Sequence, residues 1–143
     1  VDLPWGRLGV SICYDVRFAH LYRDLAEAGC QFLSAPACFT QQTGEAHWVV
    51  LHRARAIENG AFFMSAAQAG HHEDGRDTFG HSIIVDPWGR VLAEAEAEPG
   101  YIMATIDPAL VRDARTRIPT LVHARKVPIR VIEAHEAGLF IRS

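Results

Sequence analysis

The chain has 143 residues, 49% hydrophobic, 22% charged and 9% aromatic, which fits one ordinary folded domain and excludes a disordered or low-complexity segment. Its longest apolar runs are strand-sized, far short of the ~18 residues that cross a bilayer. A formal net charge of -3, with arginines spread among acids, leaves no footprint for nucleic acid or an anionic membrane, so neither partner is expected.

In chain order, residues 7–15 (RLGVSICYD) alternate as a strand does, with Leu8, Val10 and Ile12 on one face and Gly9, Ser11 and Cys13 on the other. Residues 16–28 follow at once as a helix carrying Phe18, Leu21, Tyr22, Leu25 and Ala28 at helical spacing, with Asp15 as N-cap and Gly29 as stop. QFLSAPA (31–37) is a short buried strand ended near Pro36, and 38–44 is a polar loop. A second helix spans 45–59, with Ala46, Val49, Val50, Ala54 and Ile57 as its apolar stripe and Asn59-Gly60 as its stop. AFFMSAAQ (61–68) is a third apolar strand, and strand-helix alternation at this spacing implies right-handed crossovers and a sheet covered by helices.

Beyond Ala69 the pattern changes. A loop rich in His, Gly and charge leads to HSIIVD, a type I turn at Asp86-Pro87-Trp88-Gly89, and RVLAEA, which together read as a hairpin. Residues 101–106 read as one more strand, and 108–117 as a helix opened by Asp107 with Pro at its first position. Residues 118–143 are weakly patterned, and neither a repeat nor a linker divides the chain, so one domain is expected. The chain opens Val-Asp-Leu-Pro-Trp-Gly-Arg, with its first methionine at Met64, and so reads as a fragment that leaves a leader ahead of it open.

The cysteines are Cys13, Cys30 and Cys38, an odd number without CxxC spacing, which argues against a disulfide framework or zinc site and for a reducing, cytoplasmic compartment. Cys13 stands where a strand turns straight into a helix. That is where open α/β sheets place ligands, and backbone N–H groups there, beginning at Tyr14, could activate a thiol and donate to an oxyanion. On position alone a small core thiol is the favoured reading.

Four runs bear on that choice: G-R-L-G-V-S-I-C-Y-D-V-R-F (6–18), P-A-C-F-T-x-x-T-G-x-A-H-W (36–48), R-A-R-A-I-E-N (53–59) and G-H-S-I-I-V-D-P-W-G (80–89). In order and spacing they resemble the C-terminal half of a carbon–nitrogen hydrolase of the nitrilase superfamily, most closely the Nit-type amidase branch. The resemblance implies an α/β fold that is part of a four-layer αββα sandwich lacking its N-terminal half, with a sheet edge left bare. It implies Cys13 as nucleophile, attacking a small-molecule amide to give a thioester, with the Tyr14 backbone N–H at the oxyanion and Arg17, Phe39 and Thr43 lining the pocket for the α-keto-acid end of the substrate. No cofactor and no metal are implied, and a homo-oligomer is expected of the full-length protein.

The family's general-base Glu and oxyanion Lys lie ahead of the Cys, whereas the twelve residues before Cys13 contain neither and Lys126 is the only lysine. The chain alone is therefore expected to be inactive. Three bland alternatives stand beside the site residues: a solvated arginine for Arg17, a packed loop aromatic for Phe39 and a helix N-cap for Thr43. Arg53, Arg55 and Glu58, one turn apart, read as a surface or interface ion pair. Adjacent His71-His72, and His47 and His52 five apart, do not match metal-ligand spacing. Ala19, His20 and Lys126-Val127-Pro128 depart from the family pattern. The rival functions are a non-catalytic interaction module and a Cys–His hydrolase using His47, His71 or His81 as base.

Overall fold

A computed structural model describes residues 1–132. Eight short strands are β1 (Asp2–Leu3), β2 (Gly6–Val10), β3 (Phe32–Ser34), β4 (Phe62–Ser65), β5 (Ala69–His71), β6 (Asp77–Phe79), β7 (Ile83–Val85) and β8 (Val91–Glu94). Four helices are α1 (Ala19–Glu27), α2 (Gln41–Asn59), α3 (Ala109–Arg117) and α4 (Thr120–His123), and a 3₁₀ turn covers Cys13–Arg17. The six-stranded sheet runs β1-β2-β3-β4-β7-β8, with β2, β3 and β4 parallel and the remaining pairs antiparallel. The expected α/β architecture is present, and parallel neighbours joined by α1 and α2 follow from the strand-helix alternation of the sequence.

One sheet face packs Leu33, Ala35, Phe63, Ile83 and Val85 against Val16 and Tyr22 and against Trp48 and Ala56 of α2. On the other face α3 lays Val111 over Phe32 and Phe62. Arg115 ties α3 down by donating to the carbonyls of Asn59, Gly60 and Cys30. The alternation of β2 resolves with the small side inward: Gly9 and Ser11 are buried beneath the helices, whereas Val10 is 54% and Ile12 66% exposed. Close approach of a helix demands small residues, so the more apolar side of this strand is the uncovered one.

Several boundaries differ from the sequence reading. The strand expected over 7–15 ends at Val10, because the chain leaves the ladder and tightens into the 3₁₀ turn. That turn also takes the first residues of the helix expected at 16, and Asp15 lies inside it, accepting from the Ile12 N–H (2.9 Å). The second helix starts at Gln41, four residues earlier than expected, and Gly44 lies within it because any side chain there would run into Phe79 of β6. Gly60 caps that helix in the left-handed region (φ +51°), as the Asn59-Gly60 stop requires.

The expected apolar stripe of α2 holds only in part: Val49 packs against the core, but the rest of the stripe does not form the inner face. Val50 and Ile57 are 65% and 48% exposed, and the inward face carries Trp48, His52, Arg55, Ala56 and Asn59. Most of these polar groups are buried with a partner: the Trp48 Nε1–H donates to the His81 carbonyl (2.7 Å) and the Asn59 amide N–H to the Arg55 carbonyl (2.9 Å), while Asn59 Oδ1 has no partner among the described residues. The loop expected after Ala69 contains the β5–β6 hairpin, and residues 101–106 form no strand: Tyr101 and Met103 are exposed and no strand pairs with them. The hairpin at 83–94 forms as read, its turn closed by the Gly89 N–H to the Asp86 carbonyl (2.9 Å). Asp107 caps α3 through the Ala109 N–H (2.9 Å).

Candidate active site

The C-terminal ends of β2, β3 and β4 form one edge of the parallel part of the sheet, where open α/β folds bind ligands. Cys13 lies there, three residues past the end of β2, half-buried, with φ +49°. A left-handed conformation is unfavourable for a residue carrying a Cβ, and it persists only where neighbours impose it. The Cys13 N–H donates to the Pro36 carbonyl (2.9 Å), and the carboxylate of Asp15 takes the Ile12 N–H just ahead of it. The result is a sharp elbow that turns the thiol out of the ladder.

Two adjoining clefts meet at Cys13. The larger, about 470 Å³, is walled by Pro36, Ala37 and Cys38 on one side and Ala66, Ala67 and Gln68 on the other. The smaller, about 270 Å³, brings together Cys13, Tyr14, Arg17, Cys38, Phe39, Thr40 and Thr43, so all five residues singled out from the sequence border one space.

Arg17 is not a loose solvated side chain. Its guanidinium carbon lies 5.3 Å from the ring centroid of Tyr14 and 5.0 Å from that of Phe39, and one N–H donates to His47 Nδ1 (3.2 Å). Aromatic faces on two sides and an imidazole at the edge fix the plane of the fork. Phe39 is itself held edge-on against Trp48, with centroids 5.0 Å apart. Thr43 is not the N-cap: that position is Thr40, and the two hydroxyls share a hydrogen bond of 2.8 Å.

The histidines weighed as bases are engaged elsewhere, His47 with Arg17, His71 with Asp77 and His81 with Glu94. The thiol with an imidazole beside it is Cys38, whose sulfur lies 4.0 Å from His72 Nε2. Among the described residues no group of three or more His, Cys, Asp and Glu gathers as metal ligands, and no helix is long and apolar enough to cross a membrane.

His52 is a buried core imidazole, bonded to the Trp48 carbonyl and to the Ser65 hydroxyl (both 2.8 Å). Burial pushes its pKa down to about 4 from 6.5. Unfolding therefore takes up a proton between those values, so stability contributed by the neutral ring falls as pH drops from 6.5 towards 4 and is level above 6.5. Urea melts at pH 7.5 and pH 5 are expected to show this loss, and His52→Gln to reduce it; an undiminished loss in the variant would assign the effect to other groups.

Residues 1–116 match the carbon–nitrogen hydrolase family. The chain belongs to that family. It is 49% identical over 119 residues to a deaminated glutathione amidase of Synechocystis, covering 83% of this chain and 44% of the relative. The crystal structure of Nit3 from Saccharomyces cerevisiae, a member of branch 10 of the nitrilase superfamily, superposes with a TM-score of 0.78 at 36% identity, covering 83% of this chain and 44% of that one. An amidase from Nesterenkonia, captured with acrylamide added at its active-site cysteine, matches with a TM-score of 0.68 at 29% identity, over 83% and 46% of the two chains. This carbon–nitrogen hydrolase chain thus spans less than half the length of these three relatives, and its α/β layers are those of the nitrilase superfamily.

What sequence reasoning missed at the site is Arg55. Its spacing to Glu58 is that of a surface pair, yet the residue is 6% exposed and its side chain reaches under the turn that carries Cys13. Its alanine neighbours, Ala54 and Ala56, were the available signal of a face packed tightly enough to bury it.

Proposed function

We propose that this chain is the cysteine-bearing part of an amidase that cleaves a small-molecule amide C–N bond through a thioester on Cys13. The observation that carries the reading is the elbow: a cysteine at φ +49° on the ligand-binding edge of the sheet, opening into the cleft shared with Arg17. Sγ attacks the amide carbonyl carbon as the thiol proton passes to a general base, and the Tyr14 backbone N–H donates to the oxygen that becomes anionic. Collapse of the tetrahedral intermediate breaks the C–N bond, returns the proton to the departing amine and leaves an acyl thioester, which water then hydrolyses. The base carboxylate and the second oxyanion donor, a lysine in this family, come from residues outside this chain.

Arg17 takes the substrate carboxylate, Phe39 forms the wall beneath it and Thr43 offers a hydroxyl at the rim, which suits an α-keto-acid amide such as the deaminated glutathione for which the Synechocystis relative is named. Free Cys13, Cys30 and Cys38 support a reducing, cytoplasmic setting, and the exposed Val50 and Ile57 of α2 support an oligomer of like copies. The test is residue-resolved alkylation by iodoacetamide at pH 7. Cys13 is expected to react faster than Cys38 and much faster than Cys30, which is 3% exposed. Equal labelling of all three thiols would overturn the nucleophile assignment.

A further inference from the structure

The R-A-R-A-I-E-N run has no part in the chemistry described so far, yet its second arginine touches the turn that carries the nucleophile. Arg55 Nε donates to the Val16 carbonyl (3.0 Å) and Nη2 to the Arg17 carbonyl (3.1 Å), while Nη1 faces both carboxylate oxygens of Glu58 (3.0 and 3.3 Å). Val16 and Arg17 close the 3₁₀ turn that begins at Cys13, and carbonyls at the end of so short a turn have no partner within it. The elbow is therefore held from two sides, at its start by the Pro36 carbonyl on the Cys13 N–H and the Asp15 carboxylate on the Ile12 N–H, and at its end by Arg55. A planar fork spans two successive carbonyls at fixed separation, which an ammonium cannot do.

We propose that Arg55, oriented by Glu58, is a positioning residue for Cys13: it anchors the end of the turn so that the thiol stays presented to the cleft, and by the same bonds it fixes the backbone from which Arg17 reaches the substrate. The inference rests on Cys13 being the nucleophile. Arg55 touches no substrate and acts through the turn.

The readout is the ratio of Cys13 to Cys38 alkylation rates. Both thiols border the same clefts, so a general loss of stability moves them together and positioning moves Cys13 alone. Arg55→Met is expected to lower the ratio roughly tenfold, Arg55→Lys by less because one carbonyl stays within reach, and Glu58→Gln by about twofold to threefold. Arg53→Gln, on the same helix but bonded to the Gly89 carbonyl, is expected to leave it unchanged. Circular dichroism identifies the folded variants, and if neither Arg55 variant folds, Glu58→Gln decides alone. A ratio unchanged in every folded Arg55 and Glu58 variant, with a fast parent Cys13, overturns the clamp only. A parent in which Cys13 is no faster than Cys38 overturns the nucleophile assignment and the clamp with it.

Discussion

In an enzyme completed by the N-terminal half of the Synechocystis relative, Arg17→Lys is expected to lower kcat/KM for α-keto-acid amides by about 2–3 kcal/mol, roughly 30- to 150-fold. The geometry gives the reason. The guanidinium lies over Tyr14 and Phe39 with one edge on His47, so its plane is set before substrate arrives and two parallel N–H groups can meet a carboxylate. Lysine keeps the charge but loses the plane, the stacking and the paired donors. The backbone carbonyl of residue 17 keeps its bond to Arg55 in the variant, so the turn itself is spared. An amide without the carboxylate should hardly register the change, whereas equal losses on both substrates would make Arg17 a structural residue.

The parts of the fold that were legible are those where local chemistry and tertiary packing agree. β2, β3 and β4 are short apolar runs between turn signals, Gly60 ends α2 in the left-handed region that glycine tolerates, and Asp86 closes the β7–β8 turn as its Pro-Trp-Gly sequence demands. The illegible parts are those where a partner distant in sequence decides. Periodicity selects Val50 and Ile57 as the inner face of α2, and the true inner face mixes Trp48 and Ala56 with buried polar groups because Ser65, the Val16 carbonyl and the His81 carbonyl wait for His52, Arg55 and Trp48. Gly44 reads as the last residue of a polar loop until Phe79 is seen against it.

The site was legible to a different depth. Alternation carried the strand through Cys13, and only the resemblance of four motifs favoured a nucleophile over a core thiol. The chain leaves the ladder at Val10 and holds Cys13 at positive φ where two groups distant in sequence, the Pro36 carbonyl and the buried fork of Arg55, bond the turn. The grouping of Arg17 with Phe39 likewise depends on a loop more than twenty residues further along the chain.

The most direct test of the central claim is amide hydrolysis by the completed enzyme and its Cys13→Ser variant. Serine keeps nearly the size of the side chain but replaces a good nucleophile and acyl leaving group with a poor one. If the acyl group passes through Cys13, kcat should fall by about a thousandfold or more in a variant that melts within a few degrees of its parent. Turnover by the folded Cys13→Ser enzyme within tenfold of the parent would show that the acyl group never rests on Cys13, and would contradict the account.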